Sequence, residues 1–444
     1  MLFLLILPPA SIDAQAAATE DWDVTLARGE TRDLDFEVDE GTWLSVDLSP
    51  DGEWVVMDLL GLIYRVPSGG GEAELLTRDA GVSLNYHPRY SPDGQWIAFI
   101  SDREGQDHLW VMRADGTEPR AVFSNNDVRA TQPAWAPDGE YLVVRRSYVG
   151  SGSGAGRSGL WMYHRDGGEG VALVTDDNPR WPSVSPDGRY LYYHVATGGR
   201  DALAGDYALR RLDLGSGETL DLTPGNTGGA ASGRLSSGGA FAPQISPDGR
   251  RLAFARQIPY GTVNYRGHSF GPRTALWVRD LETGVERVVM DPISIAVESG
   301  SKTNRIVPGY TWASDGESIV VWQGGKIRRL DVASEEVATV PFRARVQRTI
   351  SEQAYQPFRI DDGPFLARFL RWHTASPDGT RLAFQAVGRI WVQDLSEGRP
   401  RRLTPEDFEP WEYGPTWSPD GEWIAFTTRD VEGVGHVWKV SARG

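Results

Sequence analysis

The chain has 444 residues, more than one ordinary single-core domain holds, so we expect several domains or a repeat architecture. Its formal net charge is −16, and a surface this acidic repels phosphate backbones and anionic membrane surfaces, so we expect no nucleic-acid partner and disfavour binding to anionic membranes. The absence of cysteine excludes disulfides, thiol nucleophiles and cysteine-bound metals. The 51 glycines, 28 prolines and 17 tryptophans favour short strands joined by turns over long helices.

The first 18 residues have the pattern of a secretory signal peptide. Residues 2–7 are apolar, and Ala14 and Ala16 form the small-residue pattern that precedes a cleavage site. No positive charge precedes the apolar run, so an apolar strand or a misassigned start is the alternative. We expect residues 1–18 to be removed on export to the periplasm. No other stretch reaches the roughly 18 apolar residues of a membrane helix, so we expect no membrane insertion of the mature protein.

One tetrapeptide pattern, Ser-Pro-Asp-Gly or a close variant, recurs eight times along the chain. Successive copies begin 42, 45, 49, 61, 67, 63 and 42 residues apart. A minimum period near 42 residues is typical of a four-stranded propeller blade. The copies begin at Ser49, Ser91, Ala136, Ser185, Ser246, Ala313, Ser376 and Ser418.

Each copy introduces the same order of short segments. In the second copy an apolar strand (residues 96–100) follows the motif, and a loop, a Trp-containing strand (109–112), a short turn and a last strand (120–122) come next. Proline, aspartate and glycine suit the tight turn that starts each series. We therefore predict an all-β protein over residues 19–444. It is a β-propeller of four-stranded antiparallel blades, about eight in number, with seven as the alternative.

The last copy, residues 418–444, stops before a fourth strand. Two explanations stay open, and both can hold together. Residues 30–38 alternate like a strand and would complete the last blade, closing the ring. Alternatively, this chain is the front part of a longer protein.

The long connections fall into two classes, the second connection within a blade and the connection between blades. In a four-stranded antiparallel blade both classes lie on one face of the ring, and variable loops on a rigid scaffold commonly carry binding. The alternative to a binding role is random drift in loop length, because lengthening a loop adds only a small entropic cost to folding. The long stretches are residues 148–159, 196–206, 223–241, 258–274, 291–309 and 341–372.

Four residues are candidates for a ligand site at the channel mouth on that face. Each lies directly before the recurring proline of an innermost strand, or at the equivalent position where that proline is absent. The alternative is that these side chains only pack the channel mouth. The candidates are His87, Gln132, Trp181 and Trp372.

No catalytic, metal or cofactor site is predicted. Residues 267–271 fit the G-x-S-x-G pattern around Ser269, but about 0.4 matches arise by chance in so glycine-rich a chain. The segment also lacks the preceding buried strand and following helix of a nucleophile elbow. The seven histidines show no metal-ligand spacing, and no phosphate-binding glycine motif is present.

The repeats resemble those of TolB-like (WD40-like) β-propellers, with the pattern S-P-D-G, then I-A-F, then I-W-V-M. The resemblance covers about residues 40–440 and is clearest at residues 91–111 and 418–440. It is closest to the N-terminal propeller region of large exported bacterial amidohydrolase-family proteins. The segments that carry this closer resemblance are residues 40–43, 58–61, 308–312 and 324–327.

The resemblance implies a non-catalytic, exported module that binds or gates. Its partner would be its own downstream amidohydrolase-type domain, whose metal-binding histidine motifs are absent from this chain. A free-standing TolB-like periplasmic propeller that binds protein partners is the alternative. A hydrolase acting through the loop face is a third reading.

Overall fold

In the computed structural model, the residues described are 23–149, 158–197, 207–223, 239–258, 263–265, 268–270, 273–294, 309–352, 363–396, 398–429 and 435–444. These ranges contain strands and turns, and none of them forms a helix long and apolar enough to cross a membrane. The chain divides into two compact units, residues 1–353 and 354–444. The predicted signal peptide lies outside the described residues.

The first unit begins with strand β1 (Thr31–Val38) and then forms a series of four-stranded antiparallel sheets. Sheet 1 contains β2 (Val46–Leu48), β3 (Trp54–Leu59), β4 (Leu62–Pro67) and, after the short β5 (Gly71–Glu72), β6 (Glu74–Leu75). Sheet 2 contains β7 (Asn85–Tyr90), β8 (Trp96–Ser101), β9 (His108–Arg113) and β10 (Arg120–Ala121). Sheet 3 contains β11 (Val128–Trp135), β12 (Tyr141–Tyr148), β13 (Gly159–His164) and β14 (Gly167–Val174).

Three more sheets of the same kind complete the series. Sheet 4 contains β15 (Arg180–Val184), β16 (Tyr190–Ala196), β17 (Tyr207–Asp213) and β18 (Thr219–Asp221). Sheet 5 contains β19 (Ala240–Ile245), β20 (Arg251–Ile258), then the hairpin β21 (Val263–Tyr265) and β22 (His268–Phe270), β23 (Arg273–Asp280) and β24 (Glu286–Ile293). Sheet 6 contains β25 (Thr311–Trp312), β26 (Ser318–Gln323), β27 (Lys326–Asp331) and β28 (Val337–Val340), and β29 (Phe342–Ser351) follows it.

Apolar side chains fill the seam between each pair of neighbouring sheets in the first unit. The seam between sheets 6 and 1 is filled in the same way, and Trp322 Nε1 donates to the Gly41 carbonyl there at 2.7 Å. Sheets 1 to 6 therefore form a closed ring, which leaves no sheet face of the series unpaired. Each seam contains a buried apolar side chain. In order from the seam between sheets 1 and 2 to the seam between sheets 6 and 1, examples are Phe99, Ile100, Tyr193, Phe254, Tyr310 and Met57.

The recurring motif forms the same turn in sheet after sheet. In sheet 2, Gly94 has a φ of 70°, in the left-handed region that glycine tolerates. Ser91 Oγ accepts the Trp96 N–H at 2.9 Å, and Asp93 Oδ1 accepts the Gln95 N–H at 3.0 Å. These bonds satisfy the backbone groups at the start of the second strand, which explains why one tetrapeptide recurs throughout.

The predicted N-terminal strand is present, but its partner differs from the expected one. β1 pairs antiparallel with β29, from Thr31 opposite Ser351 to Val38 opposite Ala344, and not with the last sheet. The stretch 341–372, expected as a loop, thus contains a strand. The physical reason is the closure of the six-sheet ring. β1 ends shortly before the chain enters sheet 1, and β29 begins just after the chain leaves sheet 6, so Val38 and Ala344 meet at the same seam.

The second unit contains the last two copies of the repeat. Sheet 7 contains β30 (Arg371–Ala375), β31 (Arg381–Ala386), β32 (Arg389–Asp394) and β33 (Arg401–Arg402). Sheet 8 contains three strands, β34 (Trp411–Trp417), β35 (Trp423–Arg429) and β36 (Gly435–Ser441). The predicted all-β fold with about eight blades is confirmed. Counting repeats did not show that the first six sheets close a ring among themselves.

Candidate functional site

The innermost strand of each sheet from 2 to 5 carries a bulge at the same place. Three of the four candidate residues sit at these bulges with left-handed backbones, at φ of 53° for His87, 58° for Gln132 and 55° for Trp181. Residues other than glycine rarely adopt this conformation. Bulges reorient the side chains they carry, and here a proline follows each left-handed residue. The repeat therefore directs one side chain per sheet away from the regular alternation.

The structure brings His87, Gln132 and Trp181 together around one small cavity. Arg89 and Gln244 also line it. The His87 and Trp181 rings meet edge to face with centroids 6.2 Å apart, and Gln132 Oε1 accepts the Trp181 N–H at 2.9 Å. The cavity measures about 10 Å³, room for one water molecule.

Trp372 belongs to the second unit. It has a φ of 48°, like its counterparts in the ring, and its ring lies 5.8 Å from that of Tyr413. The side chain is 49% exposed, whereas the three ring candidates are buried. A binding role for any of the four residues stays a prediction.

Side chains of one sheet accept the buried N–H groups of the left-handed residues in the next sheet. Asp58 Oδ2 accepts from His87 at 2.8 Å, and His194 Nδ1 accepts from Ala242 at 3.2 Å. A buried N–H without an acceptor is costly, so these bonds hold the distorted innermost strands in place. Sequence reasoning missed both acceptors. The available signal was a polar residue at the eighth position after the motif proline, in an otherwise apolar strand.

An arginine crosses between three sheets beside the cavity. Arg89 of sheet 2 donates through Nη1 to the carbonyls of Val46 in sheet 1 and Tyr310 in sheet 6, each at 3.2 Å. The same Nη1 lies 3.5 Å from Asp47 Oδ1. Burial raises the pKa of Asp47, and the Arg89 charge opposes that rise. Arg89 therefore ties the first and last sheets of the ring to the second.

Two further buried groups near the channel have shifted pKa values. Burial raises the pKa of Asp58 to about 6, although the N–H groups of His87 and Ser45 stabilise its carboxylate. Burial lowers the pKa of His194 well below its ordinary value, and the charges of Arg180 and Arg145 lower it further. His194 is therefore neutral in the folded protein, in keeping with its role as an acceptor.

Replacement of His194 by asparagine is expected to make the protein less sensitive to acid. Unfolded histidine takes up a proton near pH 6.5 while folded His194 does not, so wild-type stability falls as the pH drops below that value. Between pH 7.5 and 5, His194 therefore lowers the free energy of unfolding of the wild type by about 2 kcal/mol, and the variant does not show this decrease. Asparagine keeps an acceptor for the Ala242 N–H. Urea unfolding at pH 7.5, 6 and 5 measures the effect, and parallel pH dependences of the two proteins would contradict it.

The rejected chemical motifs gain no support from the described residues. Strand β22 contains position 269 and pairs with β21 in a two-stranded hairpin. A nucleophile elbow would instead have a strand that leads into a helix. Among the described residues, no three histidine, aspartate or glutamate side chains group in a way that could hold a metal ion.

Six four-stranded sheets packed in a closed ring define a β-propeller. Residues 35–208 match the family model of the TolB beta propeller domain, and the chain carries TolB-like propeller repeats.

Two curated relatives and one solved structure illustrate the similarity. The chain is 29% identical to "Uncharacterized peptidase YuxL" of Bacillus subtilis over 199 residues, 44% of this chain and 25% of that protein. It is 28% identical to "Uncharacterized protein Atu1656" of Agrobacterium fabrum over 220 residues, 48% of this chain and 69% of that protein. The crystal structure of TolB from Acinetobacter baumannii matches with 14% identity and a TM-score of 0.46, over 68% of this chain and 65% of that one. The match thus spans only a quarter of the Bacillus protein.

Proposed function

We propose that this chain is a non-catalytic propeller that binds a protein partner at the rim from which its long connections leave. Within each sheet, this loop rim contains the start of the first strand, the end of the second strand and the start of the third strand. The observation that carries the proposal is the closed ring itself. Because neighbouring strands are antiparallel, every long connection of sheets 3 to 5 leaves from that one rim. The small cavity and the crossing Arg89 leave little room for passage through the ring, so binding is favoured over a channel function.

In the finer form of the proposal, the partner is an amidohydrolase-type domain that follows the propeller, in a protein exported to the periplasm. The similarity of residues 58–61 to the amidohydrolase-associated propellers supports this. The structure gives these residues a framework role. Asp58 holds the next sheet, and Leu60 and Gly61 form a turn with left-handed φ values of 52° and 76°. The relative named as a peptidase supports the pairing of such a propeller with a hydrolase.

The first experiment reads the gene beyond codon 444. A continuing frame that encodes His-x-His motifs supports the amidohydrolase form. A stop codon overturns that form in favour of the alternative, a free-standing TolB-like periplasmic propeller that binds other proteins.

A second experiment tests the absence of catalysis. The purified chain is incubated with ester and peptide substrates, and no turnover is expected. Turnover that disappears in Ser269→Ala would overturn the non-catalytic assignment, and turnover that persists in that variant and copurifies with the chain would overturn it as well.

A further inference from the structure

One face of sheet 8 is exposed, whereas the same face of every other sheet packs against a neighbour. The comparison uses the sixth position after the motif proline, which lies on the second strand of each sheet. In sheet 6, Ser314 takes the place of that proline. Ala425, at the sixth position in sheet 8, is exposed. The seven counterparts are at most 3% exposed, and each packs in the seam to the next sheet: Val56, Ala98, Val143, Tyr192, Ala253, Val320 and Ala383.

The exposed face extends over all three strands of sheet 8. Thr427, at the eighth position, is exposed, whereas the residues at that position in sheets 1 to 7 are buried. Ala425 lies opposite Thr416 and Lys439, and Thr427 lies opposite Val437, which is 79% exposed. Cross-strand partners project from the same side of a sheet. These five residues therefore form one continuous surface, the open face of sheet 8.

The outer edge of sheet 8 is open as well. Among the described residues β36 is the last strand of its sheet, whereas in sheets 1 to 7 a fourth strand pairs with the third. The backbone after β36 still forms the turn that precedes a fourth strand in sheet 2. The Gly444 N–H donates to the Ser441 carbonyl at 2.9 Å, and in sheet 2 the Gly116 N–H donates to the Arg113 carbonyl at 2.8 Å. There the turn leads to β10, which pairs with β9.

The seams already formed define what fits the open face. In each seam, the sixth-position face of one sheet meets the face of the next sheet that carries the fifth and seventh positions. These two positions are apolar in all eight copies of the repeat. In the seam between sheets 7 and 8, for example, Ile424 and Phe426 pack with Ala383. An occupant of the open face should therefore be a sheet with apolar side chains at the fifth and seventh positions.

A second copy of the chain does not offer such a face. In sheets 1 to 6 the fifth-position and seventh-position side chains lie in the seams of the closed ring. In sheet 8, Phe426 is used in the seam with sheet 7, and in sheet 7 the seventh-position Phe384 is 3% exposed. Two open faces placed against each other would not reproduce a seam, because the two sides of a seam differ.

We propose that a further four-stranded sheet of the same repeat follows residue 444 and packs on the open face of sheet 8. The segment that leads to it supplies the fourth strand next to β36. Residues 354–444 are then the first two sheets of a second propeller. The inference rests on that part of the proposed function in which the protein continues beyond residue 444. It concerns what lies between sheet 8 and the amidohydrolase-type domain.

The gene sequence beyond codon 444 tests the inference first. We expect another copy of the motif to begin 42 to 67 residues after Ser418, the range of spacings in this chain, with apolar residues at its fifth and seventh positions. Such a copy without later His-x-His motifs would support this inference and overturn the amidohydrolase form. His-x-His motifs without such a copy would do the reverse. A stop codon before the expected copy would overturn both and leave protein binding at the loop rim untouched.

Lysine substitution at Ala425 tests the packing itself, in the 444-residue chain and in the gene-length protein. In the 444-residue chain, Ala425→Lys should leave the rate of proteolysis of residues 354–444 unchanged, because the side chain is exposed. In the gene-length protein we expect the rate to rise about tenfold or more, because lysine would enter a packed apolar seam. Thr427→Lys should behave in the same way. Ala383→Lys, at the buried counterpart in sheet 7, is the matched control and should raise the rate in both proteins.

Two results with the purified proteins would overturn the inference. The first is equal proteolysis of the wild type and both lysine variants of sheet 8 in the gene-length protein, which would show that no sheet covers the open face. The second is a dimer of the 444-residue chain, measured by sedimentation, that Ala425→Lys abolishes. A second copy would then be the occupant of the open face.

Discussion

Replacement of Arg89 by methionine is expected to lower the free energy of unfolding of the six-sheet ring by about 3–5 kcal/mol. Methionine retains most of the apolar stem, but it leaves the Asp47 carboxylate buried without its counter-charge. The carbonyls of Val46 and Tyr310 lose a shared donor at the same time. The loss therefore falls on the seam that closes the ring. Urea unfolding followed by tryptophan fluorescence measures it.

The loss in the free energy of unfolding of Arg89→Met is expected to grow as the pH rises. The folded pKa of Asp47 already lies above its unfolded value because of burial, and removal of Arg89 raises it further. A raised carboxyl pKa stabilises the fold at low pH, where Asp47 is protonated, and this contribution disappears as the pH rises through the folded pKa. The variant should thus be closer to the wild type at pH 5 than at pH 8.

The double variant Asp47→Asn with Arg89→Met is the control for this explanation. Removal of the buried charge should restore a large part of the stability at pH 8, since asparagine can still accept the Tyr90 N–H. A loss below 1 kcal/mol in Arg89→Met at both pH values would show that Arg89 does not secure the ring. Equal losses in the single and double variants would show that the carbonyl bonds, and not the charge, matter.

The sequence was sufficient to predict the blades because their determinants are local. Motif turns such as that from Ser91 to Gly94, and the alternating apolar strands after them, involve residues only a few positions apart. The same periodicity placed His87, Gln132 and Trp181 at equivalent positions. Their clustering follows once neighbouring sheets pack side by side.

Ring closure was not predictable in this way because its determinants are distant in the chain. Arg89 and Tyr310 are 221 residues apart, and Tyr64 donates to the Arg345 carbonyl across 281 residues. Whether six or eight sheets close a ring depends on the angle at which sheets pack, which the tetrapeptide does not report. The pairing of β1 with β29 is a consequence of that angle.

The polar framework around the candidate site was missed for a related reason. Asp58 and His194 each appear in the sequence as an isolated polar residue in an apolar strand, whereas Arg145 is followed by Arg146 and Ser147, and nothing local reveals the roles of these residues. The structure separates them by their partners. Asp58 and His194 accept backbone N–H groups, whereas Arg145 retains donors without acceptors. Only the register between sheets reveals that difference.

Replacement of Glu412 by alanine is expected to destabilise the second unit by about 3–5 kcal/mol and to leave the ring of the first unit intact. Glu412 has an exposure of 0%. Its Oε2 accepts the Ile390 N–H at 2.7 Å, and its Oε1 accepts from Thr404 Oγ1 at 2.6 Å. Arg389 and Arg402 each lie 3.7 Å from Oε1, so alanine would leave two cations without this carboxylate.

Limited proteolysis of the whole chain measures this effect, because a fragment containing residues 23–353 should persist while residues 354–444 are degraded. A unit of this size has a total stability of only about 5–14 kcal/mol, so the expected loss raises its unfolded population by two to three orders of magnitude or more. Glu412→Gln keeps an acceptor for the Ile390 N–H and should show a smaller loss. Glu409→Ala, at an exposed position three residues earlier, is the matched control. Equal cleavage rates for Glu412→Ala and Glu409→Ala would mean that the buried carboxylate does not hold sheets 7 and 8 together.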